Sequence, residues 1–335
     1  MTVDPDRFPR LLRRAREMNG AREFASLHAL LRDEREADLL AEPELAFLFA
    51  DVARRVGAGE TSARMVGLLG PICRRRGNDR LNRKRSNLEG ILHFDRGRYD
   101  EAEEAWLHLL ADANTADDEE FAARATNNLG ILCTLSGRLE EALAHYGRAI
   151  TSYQRLGYRR GLAQSHQNLA ITYRELGYFT EAERHFHEAV GWARLDGSTD
   201  ELARAEQERA LLHLLAGDPK LALATALRAH DRYRQLKDPA GQAEVKRILG
   251  LIAMRHDDSG QARLHLDEAR AWAQEHDAAL LEAECMEALA ALAEREGDGD
   301  SATRLREEAG AHFSALGAGP WGERVRSRVR EIAQR

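Results

Sequence analysis

Small and apolar residues return along this chain at a step of 40 positions. Gly90, Gly130, Ala170, Ala210, Gly250 and Ala290 share one position of the frame, and the side chain there is always small. The next position holds Ile91, Ile131, Ile171, Leu211, Leu251 and Ala291, and a third holds Leu109, Ala149, Ala189, Ala229, Ala269 and Ala309. A turn signal keeps the same step: Gly97–Ala102, Gly137–Ala142, Gly177–Ala182, Gly217–Ala222, Asp257–Ala262 and Gly297–Ala302, with no insertion or deletion. A fixed period of this length marks a stack of like units. Each unit buries its apolar face only against its neighbours.

The pattern predicts two helices per unit. Small residues at matched positions let paired helices approach closely while larger side chains fill the grooves beside them. In the unit around Gly137, the first helix is expected over about 118–136 and the second over about 139–156. Glycine suits the intervening turn because it adopts positive φ at a helix C-cap without a steric cost. Gly157, Gly197 and Gly317 mark the ends of second helices in the same way, and Pro219, Pro239 and Pro320 stand where helices begin.

The run Asn128-Leu129-Gly130, Gly137 to Ala142, Tyr146 and Ala149 resembles the tetratricopeptide repeat. Gly130, Ala142, Tyr146 and Ala149 match its signature positions, although the usual unit is about 34 residues long. The longer unit is similar to those of kinesin light chains, Rap-type regulators and MalT-type sensors. The resemblance covers about residues 79–317 and departs at Asp257, in place of the turn glycine, and at Arg209, in place of leucine. It implies an all-α, right-handed solenoid of about eight antiparallel helix pairs. Residues 1–78 are expected to form irregular helix pairs (one over 5–37, one over 42–77), 79–317 a regular array of six units, and 318–335 a capping helix. Trp321, Val325, Val329 and Ile332 share one face of that last helix. An interior Gly70-Pro71 predicts a kink or break in the second helix of the 42–77 pair.

Composition narrows the function. A net charge of −7 with 31% charged residues of both signs argues against a dedicated nucleic-acid binder. Three dispersed cysteines give no disulfide framework and fit a reducing cytoplasm. The first residues lack the apolar core of a signal peptide, and the longest apolar run, 45–50, is far short of a membrane span.

In tetratricopeptide proteins the ligand positions form a stripe on the first helix of each pair. Here the resemblance places Lys84, Asn87, Arg124, Asn127, Gln164, Gln167, Arg174, Arg204, Gln207 and Arg247 on that stripe, among Ile91, Ile131, Ile171, Leu211 and Leu251. Spacings of three and seven put them on one helical face. Asn128 and Asn168 match the asparagine that holds peptide backbone in such proteins. Amides both donate to and accept from an extended backbone, and arginine grips carboxylates with two parallel bonds. The stripe turns acidic at Glu284, Glu287 and Glu294.

Other clusters read more plainly. The basic run Arg74, Arg75, Arg76, Arg80, Arg83, Lys84 and Arg85 lacks interleaved aromatics for base stacking and complements a helix C-terminus. The segment Gly297-Asp298-Gly299-Asp300-Ser301 is a repeat turn without the ligand ladder of a calcium loop. Thirteen histidines form no metal or catalytic signature. The expected protein is a non-catalytic, cytoplasmic scaffold, without cofactor or metal, that binds a peptide segment of a partner carrying acidic groups. A peptide-responsive Rap-like regulator and an accessory subunit of a larger complex stay open, as does homo-oligomerisation. Residues 1–40 are too short for a full Rap-type effector bundle.

Overall fold

The computed structural model describes residues 7–21 and 23–334. Residues 1–6, at the start of the expected N-terminal pairs, and Arg335, at the end of the expected cap, lie outside the described residues. Among the described residues there are 18 helices and no strand. The chain divides into two compact units, Met1–Ala125 and Thr126–Arg335.

The first unit holds α1 (Arg7–Gly20), α2 (Phe24–Arg32), α3 (Glu36–Ala41), α4 (Pro43–Arg55), α5 (Gly59–Arg76), α6 (Asp79–Asp95), α7 (Tyr99–Thr115) and the start of α8 (Glu119–Leu135). Leu27, Leu31, Leu45, Phe49, Met65 and Leu69 form the buried centre of its N-terminal part. The short α3 had no counterpart in the periodic reading. It fits between two pairs, and Pro43 opens the next helix at its N-terminus. The break expected at Pro71 does not occur: α5 runs unbroken for 18 residues. Proline frees one carbonyl, that of Gly67 four residues back, and both residues are exposed, so water can satisfy it.

The second unit holds the rest of α8, then α9 (Leu139–Leu156), α10 (Arg159–Glu175), α11 (Phe179–Asp196), α12 (Thr199–Leu215), α13 (Pro219–Gln235), α14 (Pro239–Arg255), α15 (Ser259–Glu275), α16 (Ala279–Arg295), α17 (Gly299–Ala315) and α18 (Gly319–Gln334). Consecutive helices pack as pairs, α10 on α11, α12 on α13, α14 on α15 and α16 on α17. The even-numbered members are the first helices of the repeats and are called A helices below; their partners are B helices.

The underlying step is half the sequence period. A left-handed residue recurs every 20 positions from Gly57 to Gly317, with Asp117, Lys237, Asp257 and Asp277 taking the place of glycine. At each turn the next residue closes the finished helix with its N–H, as Asp218 does to the His213 carbonyl at 2.9 Å and Asp258 to Ala253 at 3.0 Å. The same aspartates open the following helix: their carboxylates accept from the N–H of Leu221 at 2.9 Å and of Gln261 at 3.0 Å. One residue therefore ends one helix and starts another, which keeps the turns short. Asp298 does the same, accepting from the Ser301 N–H at 3.0 Å, so the 297–301 segment is a helix cap.

The small position of the frame has a direct cause. A Cβ on Gly130 would stand 2.7 Å from the Tyr146 ring, and one on Gly90 would stand 2.4 Å from the Trp106 indole. In these two units only glycine fits the facing A helix, whereas the unit with Phe186 at the matching position takes Ala170.

Candidate functional site

In the first unit, the expected stripe residues sit on α6 and at the start of α8. Lys84 is half-buried over the Phe47 ring and 4.0 Å from Glu44. Asn87 is half-buried, and Arg124 grips Glu120 at 2.9 Å. The second half of the basic run is paired within the unit. Arg80 pairs with Glu120 at 2.7 Å, Arg83 with Asp118 at 2.9 Å and Asp112 at 3.2 Å, and Arg85 with Glu89 at 2.9 Å.

In the second unit, amides link one A helix to the next. Asn127 of α8 is buried, and its carbonyl accepts from the Ser165 hydroxyl at 2.9 Å and the Asn168 amide at 3.4 Å, both on α10. Gln164 of α10 donates to Glu201 of α12 at 2.6 Å. Gln167 is buried. Gln207 of α12 is buried, accepts from the Tyr233 hydroxyl at 2.9 Å and donates to Glu208 at 3.1 Å. Asn128, Gln164 and Asn168 keep partial exposure, and Arg204 is exposed. The sequence-derived stripe thus contains two kinds of residue. Asn127, Gln167 and Gln207 are buried within the stack; Asn128, Gln164, Asn168 and Arg204 still reach its surface, Gln164 and Asn168 while bonding a neighbouring A helix.

Two arginines of the stripe are engaged internally. Arg174 is buried at the end of α10 and bridges Glu175 at 3.2 Å and Glu208 at 2.8 Å. Arg247 of α14 is buried and pairs with Glu284 of α16 at 3.0 Å. Burial opposes charge on Glu208 and Glu175, yet the guanidiniums beside each hold both carboxyls below their ordinary value. Arg174 and Arg247, two of the cations expected to meet an acidic ligand, already have carboxylate partners inside the stack.

The last helix joins this charge system. α18 packs on α16 and α17, the repeat it follows, and also on α14 and α12. Trp321 donates its indole N–H to Glu284 at 2.7 Å, and Arg326 grips Glu287 at 2.6 Å. Arg324 and Arg328 both converge on Glu175 of α10, the former at 3.4 Å. Arg324 also donates to the Thr134 carbonyl near the end of α8, at 2.6 Å. Trp321, Val325, Val329 and Ile332 are buried, as their shared face implied. The helix therefore does more than cover the last repeat: it lies against the A helices of several.

Sequence reasoning missed Glu175 and the three arginines that serve this face. The signal was present. Glu175 stands in frame with Leu135 and Leu215, so it is a charge where two other units carry leucine. Arg324 and Arg328 are four apart, on one face of a helix.

The histidines and cysteines are internal. His166 and His185 are buried, stacked, and joined Nδ1 to Nδ1 at 3.1 Å, so one ring nitrogen must donate and the other accept. Burial and the nearby Arg184 charge hold His166 down at about 4; burial, His166 and Arg184 do the same to His185, also at about 4. Cys73, Cys133 and Cys285 are buried and in no disulfide. Among the described residues, no group of three or more His, Cys, Asp or Glu is placed to hold a metal ion. No described helix is long and apolar enough to cross a membrane.

Comparison with known proteins adds family and fold. One tetratricopeptide repeat family model matches residues 85–155 and a second matches 162–191. No curated protein sequence matches the chain. Among solved structures, the chain is similar to the Rap conjugation gene regulator of plasmid pLS20 in complex with a Phr peptide. That likeness has a TM-score of 0.71 at 14% identity, over 84% of this chain and 76% of that one. It is also similar to a Rap protein complexed with Competence and Sporulation Factor, with a TM-score of 0.67 at 14% identity, over 97% of this chain and 98% of that one. A third likeness, to aspartyl phosphate phosphatase F from Bacillus subtilis, has a TM-score of 0.55 at 12% identity, over 100% of this chain and 96% of that one.

Proposed function

Because this chain is a tetratricopeptide repeat protein, we propose that it is a non-catalytic scaffold that holds a peptide segment against the A helices of its second unit. The observation that carries this reading is the double character of that face. Asn127 and Gln164 bond side chains of the next A helix, and Gln207 ties α12 to its B helix through Tyr233, while Asn128, Gln164, Asn168 and Arg204 remain accessible on the same face. A rigid row of partly exposed amides gives a peptide backbone both donors and acceptors at little ordering cost. Asn128 and Asn168 repeat one asparagine at one frame position, while Arg124, Gln164 and Arg204 vary at another, so backbone capture is assigned to the asparagines and specificity to the varying position.

Selection of a random peptide library on the full chain tests this. Selected peptides should lose at least about tenfold in affinity on a Gln164→Ala/Asn168→Ala/Arg204→Ala variant, because several contacts vanish together. The variant should melt near the wild-type temperature. Undiminished binding would contradict the assignment.

A second reading is a peptide-responsive regulator of the Rap kind. Its support is the likeness, over nearly the whole of both chains, to a Rap protein complexed with Competence and Sporulation Factor. On this reading a bound peptide would shift the A-helix stack between two arrangements. The irregular α1–α5 would be the part that answers.

A further inference from the structure

We propose that α18 is a built-in occupant of the A-helix face, and that the segment which replaces it is a cationic amphipathic helix bearing arginines. This deepens the scaffold reading above and rests on it. Three observations lead there. First, α18 lies on α16, α14 and α12 and sends Arg324 as far as the end of α8. A helix that only closed the last repeat would need α16 and α17 alone. Second, its polar contacts are made by a set of side chains suited to one recess. Trp321 meets Glu284, Arg326 meets Glu287, and Arg324 and Arg328 meet Glu175. Both Arg324 and Arg328 also lie over the Trp321 ring, at 5.4 and 4.8 Å respectively from its centroid. Third, α18 supplies cations that the A helices themselves do not. Arg174 meets Glu175 and Glu208, and Arg247 meets Glu244 and Glu284, while Glu287 is met by Arg326 of α18 and Glu175 gains Arg324 and Arg328.

Glu175 and Glu284 keep Arg174 and Arg247 when α18 leaves, but Glu175 loses two arginines, Glu284 its indole donor and Glu287 its arginine. A face left with this surplus of carboxylates favours a ligand that restores the charge. An acidic segment would add repulsion, and a neutral one would restore none of these pairs. A helix presenting arginine at the spacing of Arg324, Arg326 and Arg328, with an apolar stripe like Val325 and Val329, satisfies both requirements. Because α18 is covalently attached, it competes at high effective concentration and sets a threshold on what can enter.

The test uses the full chain and a fluorophore-labelled synthetic peptide with the sequence of residues 319–334. Arg324→Ala/Arg328→Ala should loosen α18 and bind the peptide at least about tenfold tighter than wild type, since a closed face lowers apparent affinity by its open fraction. Arg324→Lys/Arg328→Lys keeps the charge and should stay nearer wild type. A peptide with glutamate in place of its three arginines should not bind the opened chain. The proposal is overturned if the alanine variant, folded by circular dichroism, binds no tighter than wild type, or if the glutamate peptide binds equally well. Should the alanine variant fail to fold, hydrogen exchange on wild-type protein decides. Excess peptide should accelerate exchange across 321–332 of the chain, and unchanged exchange overturns the idea. If the labelled peptide fails on the opened chain while library peptides still bind, the occupancy proposal falls and the scaffold reading stands. If neither binds wild type or the opened chain, the scaffold reading falls as well.

Discussion

Gly130 and Gly147 lie on paired helices and are expected to respond oppositely to the same change. A Cβ on Gly130 would press into the Tyr146 ring, whose hydroxyl is held 3.2 Å from Thr134. Gly130→Ala should therefore cost about 1–3 kcal/mol as an overpacked core site. Gly147 is exposed within α9, and a Cβ there meets nothing within 4 Å. Gly147→Ala should stabilise by about 0.5–1 kcal/mol by removing backbone freedom from the unfolded chain. Denaturant melts of the two variants check the pair. The buried His166–His185 contact gives a pH signature. Their folded values, at about 4, lie below the ordinary 6.5. The unfolded chain thus binds protons first, so their contribution is complete above 6.5 and is lost as pH falls towards 4. Wild-type denaturation midpoints should drop between pH 7 and pH 5 more than those of His166→Leu/His185→Leu; equal drops would refute the assignment. At this scale the sequence revealed which residues are small, because a period exposes them. It did not reveal that Arg174 and Arg247 are internally paired, since their partners Glu208 and Glu284 sit on the following A helix.

The helices were legible for a simple reason: nearly every turn carries a glycine or an aspartate that the local geometry demands. The structure adds that the left-handed turn recurs every 20 residues, including at Lys237, where φ is 52°. A lysine has neither glycine's freedom nor the short polar side chain that eases this conformation in aspartate. Lys237→Gly should raise stability by about 1 kcal/mol, and an unchanged or lowered melting temperature would contradict the cap assignment. Pro71 tests the reading of α5. The helix passes through it because the lost hydrogen bond faces water. Pro71→Ala should restore that bond and stabilise by at least about 1 kcal/mol, as measured by thermal melting. The short α3 was not legible, because six residues are too few to show a helical period.

At the scale of the whole molecule, the repeat fixes a scaffold and leaves one face to vary. The family and the all-helical fold were readable from the glycine–alanine step and the Gly130–Tyr146 positions, because neighbouring units impose those residues on one another. The occupant of the second unit's A helices was not readable, because α18 reaches Glu175 from 153 residues away. No local pattern reports a pairing of that range. Two arginines of the stripe, Arg174 and Arg247, are paired inside the stack, and the carboxylates Glu175, Glu284 and Glu287 beside them are met by side chains of α18.

Hydrogen exchange with a selected peptide bound to the full chain is the most direct measurement. The account predicts protection on α10, α12, α14 and α16, with the B helices α11, α13, α15 and α17 unchanged. Protection confined to those B helices, where Leu195, Leu221, Leu227 and Leu264 are exposed, would contradict it.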